Sequence, residues 1–211
     1  MQRLFFVRHG KTELNQGNYV QGGGIDSPLL EESRKDAGKT GEFLNTEGIR
    51  HVIVSPQERA VQTAELITKE FTLSNTVDFV EDFKEMMYGD WEGLLIPDIE
   101  KQYPTLFHHL RKQPELYDPK TISGETYEQL TARGRKTIQD AIAEYPEEDI
   151  LFVGHSILIM CTVLSLLGKG VEDYRSFPPL NNTSITILNR EDGHFTLEKW
   201  NGTEHLEETN E

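Results

Sequence analysis

Leu4-Phe5-Phe6-Val7-Arg8-His9-Gly10, near the start of the 211-residue chain, joins a wholly apolar run to a polar cluster. Four consecutive apolar residues read as a strand buried on both faces, as in a parallel sheet. His51-Val52-Ile53-Val54, followed by Ser55, and Ile150-Leu151-Phe152-Val153, followed by Gly154-His155-Ser156, repeat the pattern. Helical spacing fills the intervals. Ser55-Pro56-Gln57-Glu58 has the form of a capping box, with Ala60, Val61, Ala64, Ile67 and Phe71 periodic behind it. Thr126 and Gln129 offer a second box, ahead of Leu130, Ile138, Ala141, Ile142 and Tyr145. Ser156 reads as the cap of a third helix, stopped near Gly168. Residues 184–188 alternate, and Asp192-Gly193 turns them into a hairpin with residues 195–200. Strands alternating with helices predict an α/β fold with three α/β/α layers around a mostly parallel central sheet.

The length suits a single domain over residues 1–211. Residues 94–117, punctuated by Pro97, Pro104 and Pro114, read as a small inserted helical cap. No apolar run approaches the ~20 residues that span a bilayer, and the first residues lack a secretory signal pattern. Cys161 is the one cysteine, so no internal disulfide forms. That predicts a reducing, cytoplasmic setting with no membrane partner. With 21 Lys+Arg against 36 Asp+Glu, a net charge of -15, nucleic acid is a poor partner. A small phosphorylated ligand is compatible, because distant charges are screened beyond ~8 Å.

Ligands of open α/β sheets bind at the carboxyl ends of strands. There the sequence delivers Arg8 and His9, then Ser55 and Arg59, then His155. A lone histidine in such a place more often bonds backbone. Together the set has a chemical meaning. Imidazole is a nucleophile at neutral pH, and guanidinium grips phosphoryl oxygens in a bidentate way. A leaving oxygen also needs a proton donor, for which Glu85, Asp90 and Glu92 are candidates. His108-His109 has no further metal ligand at helical spacing. Ser156 lacks the second glycine of a nucleophile elbow. Cys161, His51, His194 and His205 read as packing or surface residues, and Tyr88 and Trp91 as packing aromatics.

Over nearly its whole length the chain resembles the histidine phosphatase superfamily, in the branch of phosphoglycerate mutase-like phosphatases. The resemblance is carried, in order, by Arg8-His9-Gly10-Lys11-Thr12 with Asn15, Gln21-Gly22, and Asp26-Ser27-Pro28-Leu29. Ser55, Arg59-Ala60, Gln62-Thr63-Ala64, Glu85 and Tyr88-Gly89-Asp90-Trp91-Glu92-Gly93 follow. Gly124-Glu125-Thr126, Gly154-His155-Ser156 and Asn182-Thr183-Ser184-Ile185 complete it. It implies a phosphoglycerate mutase-like fold with His9 as the nucleophile that becomes phosphohistidine. Arg8, Arg59 and His155 would form the phosphate pocket with Asn15, and Glu85 would be the general acid. Gln21, Gly22, Ser156 and Asn182 would border the substrate. No metal and no cofactor are implied.

The expected activity is metal-independent hydrolysis of small phosphorylated metabolites. Phosphoglycerate mutase is the alternative, and a non-catalytic binder of phosphorylated ligands is a third reading. Mutases of this family place an arginine directly after the acidic glutamate, where Met86 stands here. Activity is expected to fall in acid as His9 protonates and in base as Glu85 loses its proton. Three departures from the family pattern stand out: Lys11, one extra residue across 22–26, and Glu31-Glu32-Ser33 at a helix start. Residues 204–211 read as a frayed acidic tail, with Leu206 as a candidate docking residue. A homodimer is compatible with the sequence but not required by it.

Overall fold

The computed structural model describes residues 1–207. Six strands form one sheet: β1 (Gln2–Arg8), β2 (His51–Val54), β3 (Thr76–Phe79), β4 (Ile150–Gly154), β5 (Ile185–Glu191) and β6 (His194–Gly202). Their order is β3-β2-β4-β1-β5-β6. The first four strands in that order run parallel, and β5 pairs antiparallel with both β1 and β6. Asp192 and Gly193 both have positive φ, as the two-residue turn of this hairpin requires.

Seven helices accompany the sheet: α1 (Glu13–Gln16), α2 (Glu31–Leu44), α3 (Glu58–Thr68), α4 (Ile96–Gln102), α5 (Pro104–Lys112), α6 (Tyr127–Glu144) and α7 (Ser156–Leu166). Successive strand residues face opposite sides, so β1 serves two cores at once. Phe5 and Val7 pack with Ala37, Leu44, Ala60 and Ile67 of α2 and α3. Leu4 and Phe6 pack with Leu130, Ile138, Leu158 and Cys161 of α6 and α7. The result is helix layer, sheet, helix layer. Residues 94–117 form α4, α5 and a 3-10 turn (Pro114–Leu116), and Ile99 and Leu110 anchor them to the second core.

Thr126 closes its capping box as read. Two other caps differ. α3 starts at Glu58 behind Gln57, without a side-chain cap, because the Ser55 hydroxyl is buried against His155. α7 is preceded by His155, with Ser156 as its first residue, because Glu85 takes the N–H groups of Ile157 and Leu158. α2 also starts without a side-chain cap, behind Leu30; the Ser33 hydroxyl accepts the Lys11 N–H. β3 had no apolar signature because all four of its residues are exposed at the sheet edge.

The chain end is docked rather than frayed as far as Glu207. His205 Nε2 lies 3.1 Å from both Thr40 Oγ1 and the Thr183 carbonyl, and Lys39 Nζ donates to the Leu206 carbonyl. The rest of the predicted tail, 208–211, falls outside the described residues. Among those described, no helix is long and apolar enough to cross a membrane.

Candidate active site

Hydrogen bonds continue past the ends of three neighbouring strands. His9 N–H donates to the Gly154 carbonyl at 2.9 Å, and Ser55 N–H to the Val153 carbonyl at 3.0 Å. This zipping sets His9, Ser55 and His155 side by side. The two imidazoles stand with centroids 5.1 Å apart, tilted by 58°. His9 is 4% exposed, and His155, Ser55 and Arg59 are fully enclosed.

Each imidazole has a defined hydrogen-bond setting. His9 Nδ1 lies 2.7 Å from the Gly10 carbonyl, which can only accept. Nδ1 therefore carries the proton and Nε2 keeps its lone pair. His155 Nε2 lies 2.7 Å from Ser55 Oγ, and that oxygen already receives the Gln57 N–H at 3.4 Å. The Ser55 hydroxyl is then free to donate to Nε2, which puts the His155 proton on Nδ1. Burial, followed by the charges of Arg59 and Arg8, holds His9 well below the usual imidazole pKa. Burial, then Arg59 and His9, does the same for His155.

Around them stand buried donors with no protein acceptor: Arg8 Nε, Arg59 Nε and His155 Nδ1. Buried donors are nearly always satisfied in folded proteins, so three together in one place point to an anion. Arg8 Nη1 donates to the Leu180 carbonyl at 2.5 Å. Burial lowers the Arg8 pKa to about 10 against the pull of Glu85, and it stays charged at neutral pH. Arg59 braces the 22–26 loop, donating to the carbonyls of Ile25 (2.9 Å) and Gly22 (3.0 Å) and to Asp26 Oδ1 (3.0 Å).

Glu85 is buried at the start of α7. Its Oε1 accepts the N–H groups of Met86 (2.9 Å) and Leu158 (3.1 Å), and its Oε2 that of Ile157 (3.2 Å). A helix N-terminus is a favourable place for a carboxylate. Its backbone is fixed from two sides. Glu85 N–H donates to Gln57 Oε1, and Arg133 donates to the Glu85 carbonyl while paired in bidentate fashion with Glu125.

A cleft of about 340 Å³ has Arg8, Asn15, Gln21, Glu85 and Ser156 in its lining, whereas His9, Arg59 and His155 are not among its lining residues. Asn15 closes a capping box with Thr12, and Gln21 is held by the Thr12 hydroxyl and by Ser27. Gly22 and Asn182 stand outside this lining. The Gly22 carbonyl receives Gln57 and Arg59, and a Cβ there would run into Glu92 Oε1 and the Met86 carbonyl. Asn182 gives its amide N–H to the His9 carbonyl at 2.9 Å and so seats the His9 backbone. Glu92 accepts the N–H groups of Tyr88 and Gly24, a loop-bracing role. Sequence reading missed the partnership of Ser55 with His155, the grip of Arg133, and Tyr88 and Arg175 in the cleft wall. Only Ser55 carried a signal, its place after β2. Among the described residues, no His, Cys, Asp and Glu cluster could hold a metal.

The family profile of the histidine phosphatase superfamily (branch 1) matches residues 4–203. The uncharacterized phosphatase PhoE of Bacillus subtilis is 29% identical over 200 residues, covering 95% of this chain and 92% of that protein. The structure of Bacillus stearothermophilus YhfR superposes with a TM-score of 0.91 at 28% identity, covering 98% of this chain and 100% of that one. The mycobacterial glucosyl-3-phosphoglycerate phosphatase in complex with VO3 gives a TM-score of 0.85 at 27% identity, covering 95% and 99%.

Proposed function

The chain belongs to branch 1 of the histidine phosphatase superfamily, and on that premise we propose that it hydrolyses small phosphomonoesters through a phosphohistidine on His9. The observation that carries this reading is the free imidazole lone pair of His9 in the neighbourhood of three buried, unpartnered donors on Arg8, Arg59 and His155. Relatives named as phosphatases, one of them in complex with VO3, support it.

In the first step His9 Nε2 attacks phosphorus and the bond to the ester oxygen breaks. Glu85 passes its proton to that oxygen, so the product leaves as an alcohol. Oε2 accepts a single N–H, and its other lone pair is the place for that proton. In the second step water attacks the phosphorus, Glu85 takes back a proton, and the N–P bond breaks to release phosphate and neutral His9. Arg8, Arg59 and His155 Nδ1–H stabilise the charge on the equatorial oxygens in both steps. These donors supply positive charge without a metal ion.

Hydrolysis is favoured over mutase chemistry because Met86, at the place of the mutases' arginine, is fully buried in the core. The test is phosphate release by wild type and His9→Ala, with mass-spectrometric trapping of a phosphoryl adduct on His9. Retention of more than a few per cent of activity in His9→Ala refutes the reading. Interconversion of 2- and 3-phosphoglycerate faster than phosphate release would replace it with the mutase, and specific binding of phosphomonoesters with no turnover would replace it with a binder.

A further inference from the structure

Glu85 stands in a stretch that is neither helix nor strand, between the 3-10 turns Glu81–Phe83 and Gly89–Trp91. Its carboxylate is tied to the first turn of α7, but no helix or sheet ladder holds the main chain around it. That part falls chiefly to one ion pair. Arg133 of α6 spreads its guanidinium over the segment: Nη1 donates to the carbonyls of Asp82 and Lys84, and Nη2 to that of Glu85 at 3.0 Å. Its Nε and Nη2 also donate in parallel to the two oxygens of Glu125, at 2.7 and 2.8 Å. Glu125 closes the clamp on the far side, giving its N–H to the Met87 carbonyl at 2.7 Å and accepting the Met87 N–H at 3.2 Å.

An exposed ion pair contributes little, but here the two side chains are only 18% and 11% exposed. The planar fork serves the carboxylate and the carbonyls at once, which a lysine ammonium could not do. The helix that presents Arg133 is itself fixed against α7. Gly134 abuts Thr162, whose Oγ1 would lie 2.0 Å from an added Cβ, and Leu130 and Ile138 share a core with Leu158 and Cys161. Thus α6 holds the backbone of residue 85 while α7 holds its carboxylate. A carboxyl group that delivers a proton to one oxygen depends on both attachments, since misplacement by about 1 Å can cost on the order of 10²-fold. Neither Arg133 nor Glu125 lines the cleft, so the pair reaches the chemistry only through Glu85.

We infer that Arg133 and Glu125 are positioning residues for the general acid: they set where the Glu85 carboxyl stands against the leaving oxygen. This rests on the hydrolase reading with Glu85 as proton donor, and extends the site to a pair that touches no substrate. The experiment measures kcat/KM on glycerol 2-phosphate and p-nitrophenyl phosphate for wild type, Arg133→Gln, Glu85→Gln and the double variant. Arg133→Gln should lose about tenfold or more on glycerol 2-phosphate. Its loss on the nitrophenyl ester, whose leaving group needs no proton, should be severalfold smaller. In the Glu85→Gln background the same substitution should add little on glycerol 2-phosphate, because the two residues act as a unit. Arg133→Lys keeps the charge without the fork and should not restore the activity. If Arg133→Gln does not fold, Glu125→Gln, which breaks the bidentate pairing, should show the same leaving-group selectivity. No loss, equal losses on both esters, restoration by lysine, or a loss that multiplies with that of Glu85→Gln overturns the inference and leaves the hydrolase reading intact. Absence of selectivity in Glu85→Gln itself removes the proton donor, and the inference with it. No phosphate release by wild type from either ester sinks the hydrolase reading as well.

Discussion

Ser55 Oγ lies 2.7 Å from Nε2 of His155 and thereby decides which imidazole nitrogen is left without a protein partner. The contact joins the ends of two adjacent parallel strands, and neither residue would have a defined role without the other. Ser55→Ala should leave the fold in place and lower kcat/KM by about tenfold or more, the cost of a buried acceptor, His155 Nε2, losing its donor. It should also change the pH–rate profile, because both tautomers of His155 become available. Steady-state kinetics between pH 5 and 9 checks this; an unchanged profile and rate would refute the tautomer role.

Glu85→Gln should be far more damaging with poor leaving groups than with good ones. A nitrophenolate leaves without a proton, whereas a sugar or glycerol oxygen needs one. A loss of about 10² or more is expected for alkyl phosphates, and a much smaller one for p-nitrophenyl phosphate. Equal losses on both would assign Glu85 a structural role at the start of α7.

Acid should destabilise the protein earlier than its carboxylates alone would. His9 and His155 are held below their ordinary pKa by burial and by neighbouring arginines. In the unfolded chain both titrate near ~6.5. Above that value both states are neutral and the stabilisation is complete. As pH falls below it, the unfolded chain takes up protons that the folded chain refuses. Stability then declines by up to about 1.4 kcal/mol per pH unit for each histidine. Denaturant unfolding at pH 7.5, 6 and 5 measures the slope, and His155→Asn should flatten it. The acid limb of the rate profile should accordingly lie well below pH 6.5.

Gly22→Ala should impair both stability and turnover. The added methyl meets Glu92 Oε1 and the Met86 carbonyl, while the Gly22 carbonyl is the acceptor for Gln57 and Arg59. Displacing the loop therefore loosens the arginine beside His9. A lower melting temperature with a raised KM is expected; Gly48→Ala, at a positive φ in open space, should lower stability alone.

The sheet centre was readable because β1, β2 and β4 are buried on both faces, and full burial writes itself as an unbroken apolar run. β3 was unreadable for the opposite reason, since an exposed edge strand imposes no pattern. The ends of the apolar strands located His9, His155 and Arg59. Ser55 shows where local grammar misleads. Ser-Pro-Gln-Glu has every feature of a cap, yet a tertiary partner just past β4, His155, claims the hydroxyl. Arg133 and Arg175 leave no local trace at all. Each acts through contacts with segments remote in sequence, so only the folded chain reveals them.

The place of β1 between β4 and β5 has a consequence for how the protein comes into being. The strand that ends just before His9 is made before the other five, but its neighbours in the sheet begin at Ile150 and Ile185. Its seat must stay open until residues 150–191 have been made, and contacts so distant along the chain form slowly. Until those segments exist, His9 lacks both the Gly154 carbonyl that takes its N–H and the Asn182 amide that donates to its own carbonyl.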